Sequence, residues 1–334
     1  MSSNKRVLII DALNMYFRAY IVDPSLSTNG QPIGGVKGFL KILQKQIRES
    51  KPDEVVICWD GEGGSQKRRS TNKNYKAGRK PPKINAKSKP RLNRWVNTMS
   101  ESQQAENRIW QQIRSMEYLN QTPVVQFRVP NIEADDVISY VKSLPAFSEW
   151  QKVIVSSDKD FIQLLDKKTL LYRPVQKEVL NENRIVENFG IHPKNFATAR
   201  AMAGDQSDGI KGLERVGLKT VAKAFPFLSE NKSYLLDDLK NYSSQQEESN
   251  LKIYQKVIDN FNVVCDNYSI MQLDTPLLSV QSANFILETF KEYTPALNKT
   301  EFRKMLSVDG ITEVNFDCLW TRFNSLVEVG TVFN

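Results

Sequence analysis

Nine carboxylates stand where their charge is costly unless a cation shares it. Glu133, Asp135 and Asp136 crowd into Asn131-Ile-Glu-Ala-Asp-Asp-Val-Ile-Ser-Tyr140, directly ahead of an apolar segment. A helix N-terminus favours an acid through its free N–H groups and dipole, by about 0.3–1 kcal/mol. One acid suffices for that, and three within one turn repel one another. Asp11 follows Val7-Leu-Ile-Ile10, Asp60 follows Val55-Val-Ile-Cys-Trp59, and Asp158 and Asp160 follow Val153-Ile-Val155 across two serines. Asp205 and Asp208 make a further pair in Gly204-Asp-Gln-Ser-Asp-Gly-Ile210. Oxygen donors in such number, with no histidine or cysteine among them, favour magnesium or manganese. Two such ions about 3.5–4 Å apart clamp a phosphodiester, one activating water and the other stabilising the leaving oxygen. Alone, Glu133 to Asp136 reads more simply as an over-acidic helix cap behind Asn131; the six other acids displace that reading.

Such acids need a frame that brings them together. Val7 to Ile10, Val55 to Trp59 and Val153 to Val155 read as short buried strands. Between them lie helical stretches such as Gly35 to Glu49, where Val36, Phe39, Leu40, Leu43 and Ile47 recur at helical spacing. Continuous apolar strands alternating with helices predict an α/β fold, a mostly parallel sheet covered on both faces. Each strand runs into an aspartate, and parallel strands place those ends on one edge, where such folds hold ligands. Gly34-Gly-Val-Lys-Gly38 lacks the Gly-Lys-Ser/Thr ending of a phosphate loop and reads as a turn or close helix packing. Phe225, Phe227, Phe261 and Met271 read as core. Beyond Gly204 the chain reads as helical, with a polar loop over Asn241 to Asn250.

Charge is unevenly spread. Lys67, Arg68, Arg69, Lys73, Lys76, Arg79, Lys80, Lys83, Lys87, Lys89, Arg91 and Arg94 follow Glu62 with no acid among them. A run of this kind is commonly a solvated face. Beside an acidic crevice it reads as a basic loop or arch, with Tyr75 and Trp95 placed to stack on bases. Gly212-Leu-Glu-Arg-Val-Gly-Leu-Lys-Thr-Val-Ala-Lys-Ala-Phe225 is a glycine turn into a helix, offering free N–H groups and Lys219 and Thr220 to a phosphate.

The 334 residues carry a net charge of +8 and a pI near 9.2, which points to a polyanion, either nucleic acid or an anionic membrane surface. Discounting the nine acids leaves +17 on the rest, a framework for steering nucleic acid. Cys58, Cys265 and Cys318 support neither a disulfide framework nor a zinc site. His192 is the single histidine, which excludes a two-histidine zinc site and argues against a Ser-His-Asp triad. Met1 to Arg6 is polar, and no apolar run approaches the roughly 20 residues of a membrane span. A soluble cytoplasmic protein is expected.

These motifs together resemble the structure-specific 5′ nucleases: flap endonucleases, the 5′-nuclease domains of bacterial DNA polymerase I, and phage ribonuclease H and 5′-exonuclease enzymes. The resemblance runs from Val7 to about Phe225. Its carriers are Asp11-Ala-Leu-Asn-Met-Tyr-Phe-Arg18, Asn29-Gly-Gln-Pro-Ile-Gly-Gly-Val-Lys-Gly-Phe39, Trp59-Asp-Gly61, Glu133-Ala-Asp-Asp136, Ser157-Asp-Lys-Asp-Phe161, Gly204-Asp-Gln-Ser-Asp208 and Val216-Gly-Leu-Lys-Thr220. It implies a PIN-like catalytic domain over 1–190 with a basic helical arch at about 62–108. A helical DNA-binding domain would follow over 191–334, with a helix-three-turn-helix element at about 200–226. Asp11, Asp60, Glu133, Asp135 and Asp158 would surround one magnesium ion, and Asp136, Asp160, Asp205 and Asp208 a second, with manganese as a substitute. Lys76 and Arg79, with Arg69, would grip the scissile phosphate. Gly217, Lys219 and Thr220 would bind duplex backbone and a potassium ion, and Tyr16 or Phe17 would stack on the terminal base. Gly209 stands where the family usually has asparagine, and Arg215 where it usually has glycine. Those departures bear on hairpin geometry and on the monovalent ion. Asn260 to Leu273 resembles a late helical segment of the phage ribonuclease H members, and the stand-alone length points to a phage-type enzyme.

The activity so implied is metal-dependent 5′-3′ exonuclease and flap endonuclease cutting near 5′ ends, with ribonuclease H-like action on RNA–DNA hybrids and removal of lagging-strand primers. Its substrates would be DNA and hybrids with 5′ ends or flaps. A monomer is expected, with a replication clamp or single-strand-binding protein as candidate partner. Two other readings are a PIN-type ribonuclease on single-stranded RNA and a catalytically silent DNA-binding module. The long basic insertion and the glycine turn weigh against the first. Nine carboxylates weigh against the second, because binding gains nothing from negative charge facing phosphate.

Overall fold

Val7 to Ile10 and Val55 to Trp59 are apolar throughout, which suits strands covered on both faces. In the computed structural model both lie inside a six-stranded sheet of order β3-β2-β1-β4-β5-β6. Residues 5–85, 90–246, 251–312 and 314–329 are described. Lys87 and Lys89 of the basic run and residues 247–250 of the expected loop lie outside them. The strands are β1 (Arg6–Asp11), β2 (Glu54–Trp59), β3 (Val125–Arg128), β4 (Gln151–Val155), β5 (Thr169–Arg173) and β6 (Glu178–Leu180). All pair in parallel except β5 with β6. Ile10 sits opposite Ile57 on one side and Val155 on the other, so β1, β2 and β4 end together. That register brings Asp11, Asp60 and Asp158 to one edge, as expected.

Side chains alternate across the sheet. Leu8, Ile10, Val55 and Ile57 pack against α1 (Ala12–Val22) and α2 (Gly34–Ser50). Val7, Ile9, Val56 and Cys58 pack on the other face against Val137, Ile138 and Val141 of α6 (Ala134–Ser143). Each such fully buried aliphatic side chain contributes about 1.5–3 kcal/mol. Gly34 lies so near α1 that a Cβ there would stand 1.9 Å from the Asp23 carbonyl oxygen. Gly34 to Gly38 is thus a close helix contact and no phosphate loop. The arch region contains α3 (Gln66–Thr71) and α4 (Pro90–Thr98) and leads into α5 (Glu101–Leu119), which opens on a capping box of Ser100 and Gln103.

After α7 (Glu182–Phe189), α8 (Phe196–Ala203) leads into a short antiparallel pair, β7 (Gly204–Asp205) and β8 (Ile210–Lys211), which bracket the last two acids. Helices α9 (Leu218–Ala224), α10 (Leu236–Ser244), α11 (Ile253–Asp259), α12 (Phe261–Met271), α13 (Val280–Glu292), α14 (Lys299–Val308) and α15 (Phe316–Val329) follow. Asn241 to Ser244 therefore belongs to a helix, not to the expected loop: Leu239 is buried and draws that turn onto the core.

The expected boundary at residue 190 does not part the packing. One hydrophobic cluster runs from Val7 to Phe290. Phe302, Met305, Leu306, Leu319, Trp320, Phe323 and Leu326 of the last two helices join the cluster formed by β1, α1 and α2. The end of the chain thus covers the N-terminal lobe. Among the described residues no helix is long and apolar enough to cross a membrane.

Candidate metal centre

At the end of β1, Asp11 caps α1: its Oδ1 accepts from the Asn14 amide at 3.2 Å and its Oδ2 from the Ser156 hydroxyl at 2.8 Å. Burial, reinforced by the charges of Asp60 and Asp158, pushes its carboxyl up to about 7. Asp60 accepts from the Ala134 amide at 2.7 Å, at the start of α6, and burial raises it as well. Asp135 is carried far above the usual carboxylate range by burial; Lys76 opposes this, and Asp158 and Asp11 add to it. Asp158 Oδ1 accepts from the Asp160 amide at 2.9 Å, which fixes the turn after β4. Asp11, Asp60, Asp135 and Asp158 line one cleft of about 400 Å³ with Lys76 and Arg79.

Beside it, Asp160, Asp205 and Asp208 offer oxygens that all lie within 4.8 Å of one another. Burial pushes Asp160 up to about 7, with Asp158 adding and Arg200 opposing. Asp208 is raised by burial although Arg79 pairs with it. Burial also works against the charge of Asp205, but the Ser207 hydroxyl and amide and Arg200 outweigh it and hold that carboxyl below its usual range. Oxygen donors at this close spacing, two of them raised by burial, fit a divalent cation.

Two expected ligands are occupied otherwise. Asp136 is 1% exposed and takes a bidentate pair from Arg68 at 2.6 and 3.1 Å, together with the Leu277 amide at 2.9 Å. That environment does not match the expected place at the second ion. Asp136 follows Asp135 on α6, where successive residues point about 100° apart, and is turned into the core. Glu133 accepts from Arg68 at 2.7 Å, Tyr75 at 3.0 Å and Lys76 at 2.6 Å. Against the cost of its burial, Lys76 and Arg68 hold its carboxyl below the usual range.

The expected stacking rings face inward. Tyr16 is fully buried and its hydroxyl donates to the Arg108 carbonyl at 2.6 Å. Tyr75 is spent on Glu133, and Trp95 is buried with its indole N–H on Gln31 at 3.2 Å. Phe17, by contrast, lines the cleft. Arg69 is exposed and donates to the Tyr75 carbonyl at 3.3 Å, bracing the arch base instead of reaching the cleft. Gly217, Lys219 and Thr220 are exposed at the start of α9. Arg215 adopts φ 58°, which the glycine usual at that position accepts more readily. Gly209, at φ +73°, lies where a Cβ would stand 2.5 Å from the Asn74 carbonyl oxygen, so the glycine lets the arch base close on the Asp208 turn.

The sequence alone gives Arg68, Arg200, Ser156 and Arg18 no individual role. Arg200 donates to both Asp160 and Asp205. Its signal was a lone charge inside Phe196-Ala-Thr-Ala-Arg-Ala-Met-Ala203. Arg18 lines the cleft with Nη1 buried and, among the described residues, unpartnered. Arg68 carried no signal beyond membership of the basic run.

Residues 6–190 match the family model of the 5′-3′ exonuclease N-terminal, resolvase-like domain. A 5′-3′ exonuclease of Aquifex aeolicus is 29% identical over 217 residues, covering 65% of this chain and 67% of that protein. A 5′-3′ exonuclease of Buchnera aphidicola is 25% identical over 311 residues, covering 91% and 95%. DNA polymerase I of Caldicellulosiruptor bescii is 24% identical over 92% of this chain, which spans only 34% of the polymerase. Among solved structures, the bacteriophage T5 D15 flap endonuclease, in a pseudo-enzyme-product complex with DNA and metal ions, has the same fold. It superposes at a TM-score of 0.61 with 15% identity over 97% of this chain and 99% of its own. With the family model covering more than half of its residues, the chain belongs to the 5′-3′ exonuclease family.

Proposed function

We propose that this chain hydrolyses phosphodiesters near 5′ ends and 5′ flaps with the help of two magnesium ions, leaving 5′-phosphate products. One observation carries the reading: a cleft of four buried or half-buried acids abuts a triad of acids, and Lys76 and Arg79 stand in the same cleft. When bound, the ions supply Lewis acidity for attack on phosphorus and charge stabilisation for the leaving oxygen. Asp11, Asp60, Asp135 and Asp158 would hold one, and Asp160, Asp205 and Asp208 the other. Asn14 and Ser156 orient Asp11, and the Ala134 amide orients Asp60, which fixes the donors before substrate arrives. Against the cost of its burial, Asp135 and Glu133 keep Lys76 charged, and with Arg79 it would hold the scissile phosphate. Phe17, in place of Tyr16, is the ring available to a terminal base.

Chains similar to this one are named 5′-3′ exonuclease, and the T5 enzyme of the same fold was solved with DNA, which supports a DNA substrate. Ribonuclease H-like action on hybrids, primer removal, a potassium ion at the Val216–Thr220 turn and a phage source belong to the same proposal. End-labelled flap, overhang, hybrid and single-stranded RNA substrates test it, each with magnesium, with manganese and with chelator. Metal-dependent products mapped to the 5′ end or flap base are expected. Cleavage of single-stranded RNA alone, or none with any substrate, would sink it.

A further inference from the structure

The two groups of acids carry different loads of built-in positive charge. Among the described residues, none of Asp11, Asp60, Asp135 and Asp158 has a basic nitrogen within ion-pair distance, because Lys76 pairs with Glu133. The triad is the reverse. Arg200 Nη2 lies 2.7 Å from Asp160 Oδ1 and 2.5 Å from Asp205 Oδ2, and Arg79 pairs with Asp208. Three negative charges there face two positive ones. Arg79 is half exposed on the arch and can leave, whereas Arg200 is buried in α8. Its Nε is also buried and has no hydrogen-bond partner among the described residues. One nitrogen shared by two carboxylates draws their oxygens together, which favours a cation site, while its charge repels the cation that would use them.

We infer that Arg200 is a positioning residue that competes with the second divalent ion for Asp160 and Asp205. The triad by itself then binds that ion weakly, and the phosphate of bound substrate supplies the missing negative charge. The inference rests on the two-ion reading above and adds an order of filling: the cleft acids first, the triad second and more readily with substrate.

A manganese titration of the full chain tests it, with unbound ion read by electron paramagnetic resonance. The wild-type chain should bind two ions with dissociation constants at least about tenfold apart, the scale expected for a close, partly buried charge. Arg200→Gln should tighten the weaker constant at least about tenfold and leave the stronger in place. Half-saturating manganese for cleavage should fall with it. Arg200→Lys, which keeps the charge, should keep the weak constant. Asp205→Asn should remove the weak step alone. Equal constants in the wild-type chain would overturn the inference whether or not any variant folds. So would an unchanged or weaker second constant in Arg200→Gln shown by circular dichroism to be folded, or loss of the tight step in Asp205→Asn. Absence of all manganese binding together with absence of metal-dependent cleavage would instead sink the two-ion reading itself.

Discussion

Asp11, Asp60, Asp135 and Asp158 at the sheet edge and Arg68, Tyr75 and Lys76 at the base of the arch lie within the same neighbourhood, yet they use charge in opposite ways. The acids are buried or half-buried, and loss of water raises Asp11, Asp60 and Asp135, a state that costs stability until a cation arrives. The arch base is saturated: Arg68 joins Glu133, Asp136 and the Ile270 carbonyl, and Tyr75 and Lys76 also close on Glu133. Tyr75 further packs with Ile210, Ile270 and Met271, which ties the arch to the Asp205–Asp208 turn and to α12. The carboxylates left without a basic partner at the edge therefore await a cation, whereas Glu133 and Asp136, already paired with Arg68, tie the arch to the core.

Asp158→Asn should break the edge most severely, abolishing cleavage while DNA binding persists in a mobility assay. Near wild-type single-turnover rates in that variant would remove Asp158 from the site. At the arch base, Arg68→Ala leaves Glu133 and Asp136 buried without their cation. It should cost about 3–5 kcal/mol of stability in urea unfolding, the usual range for breaking a buried pair. Less than 1 kcal/mol would mean that the pair is not structural. Lys76→Ala sits on the border between the two regions. It should slow single-turnover cleavage about 10²-fold, with binding weakened far less. Equal losses in rate and binding would make Lys76 a plain docking contact.

The smallest expected effect concerns pH. Asp11 has a folded value of about 7, above its unfolded one, so the folded chain binds the extra proton between the two. Its contribution to stability is full below the unfolded value and is lost as pH rises through about 7. Asp11→Asn, which preserves the cap on α1, should therefore gain stability over wild type in chelator as pH moves from 5 to 8. Denaturant midpoints at the two pH values check this. A gain that does not change with pH would show that the Asp11 charge is not penalised.

The sheet edge was legible because its signal is local: an apolar strand, then an acid. All three expected strands and the helix over Gly35 to Glu49 formed where their patterns placed them. Val125-Gln-Phe-Arg128 and Thr169-Leu-Leu-Tyr-Arg173 were not read as strands, since four or five residues interrupted by polar ones resemble loop until a partner strand is known. The fates of Arg68, Tyr75 and Trp95 were hidden for a related reason. A run of basic residues has no period, and only tertiary contacts decide which of its members turns inward. Arg200 and the return of the chain's end to its beginning are likewise long-range facts.

That return has a consequence in time. Leu319, Trp320, Phe323 and Leu326 share a core with Leu8, Ile10 and the helices that cover them. During synthesis this face stays open until residues 319–326 have left the ribosome, since domains complete their cores only when all their parts are available. The strand that ends in Asp11 therefore rests on a core that closes only after residues 319–326 have been made.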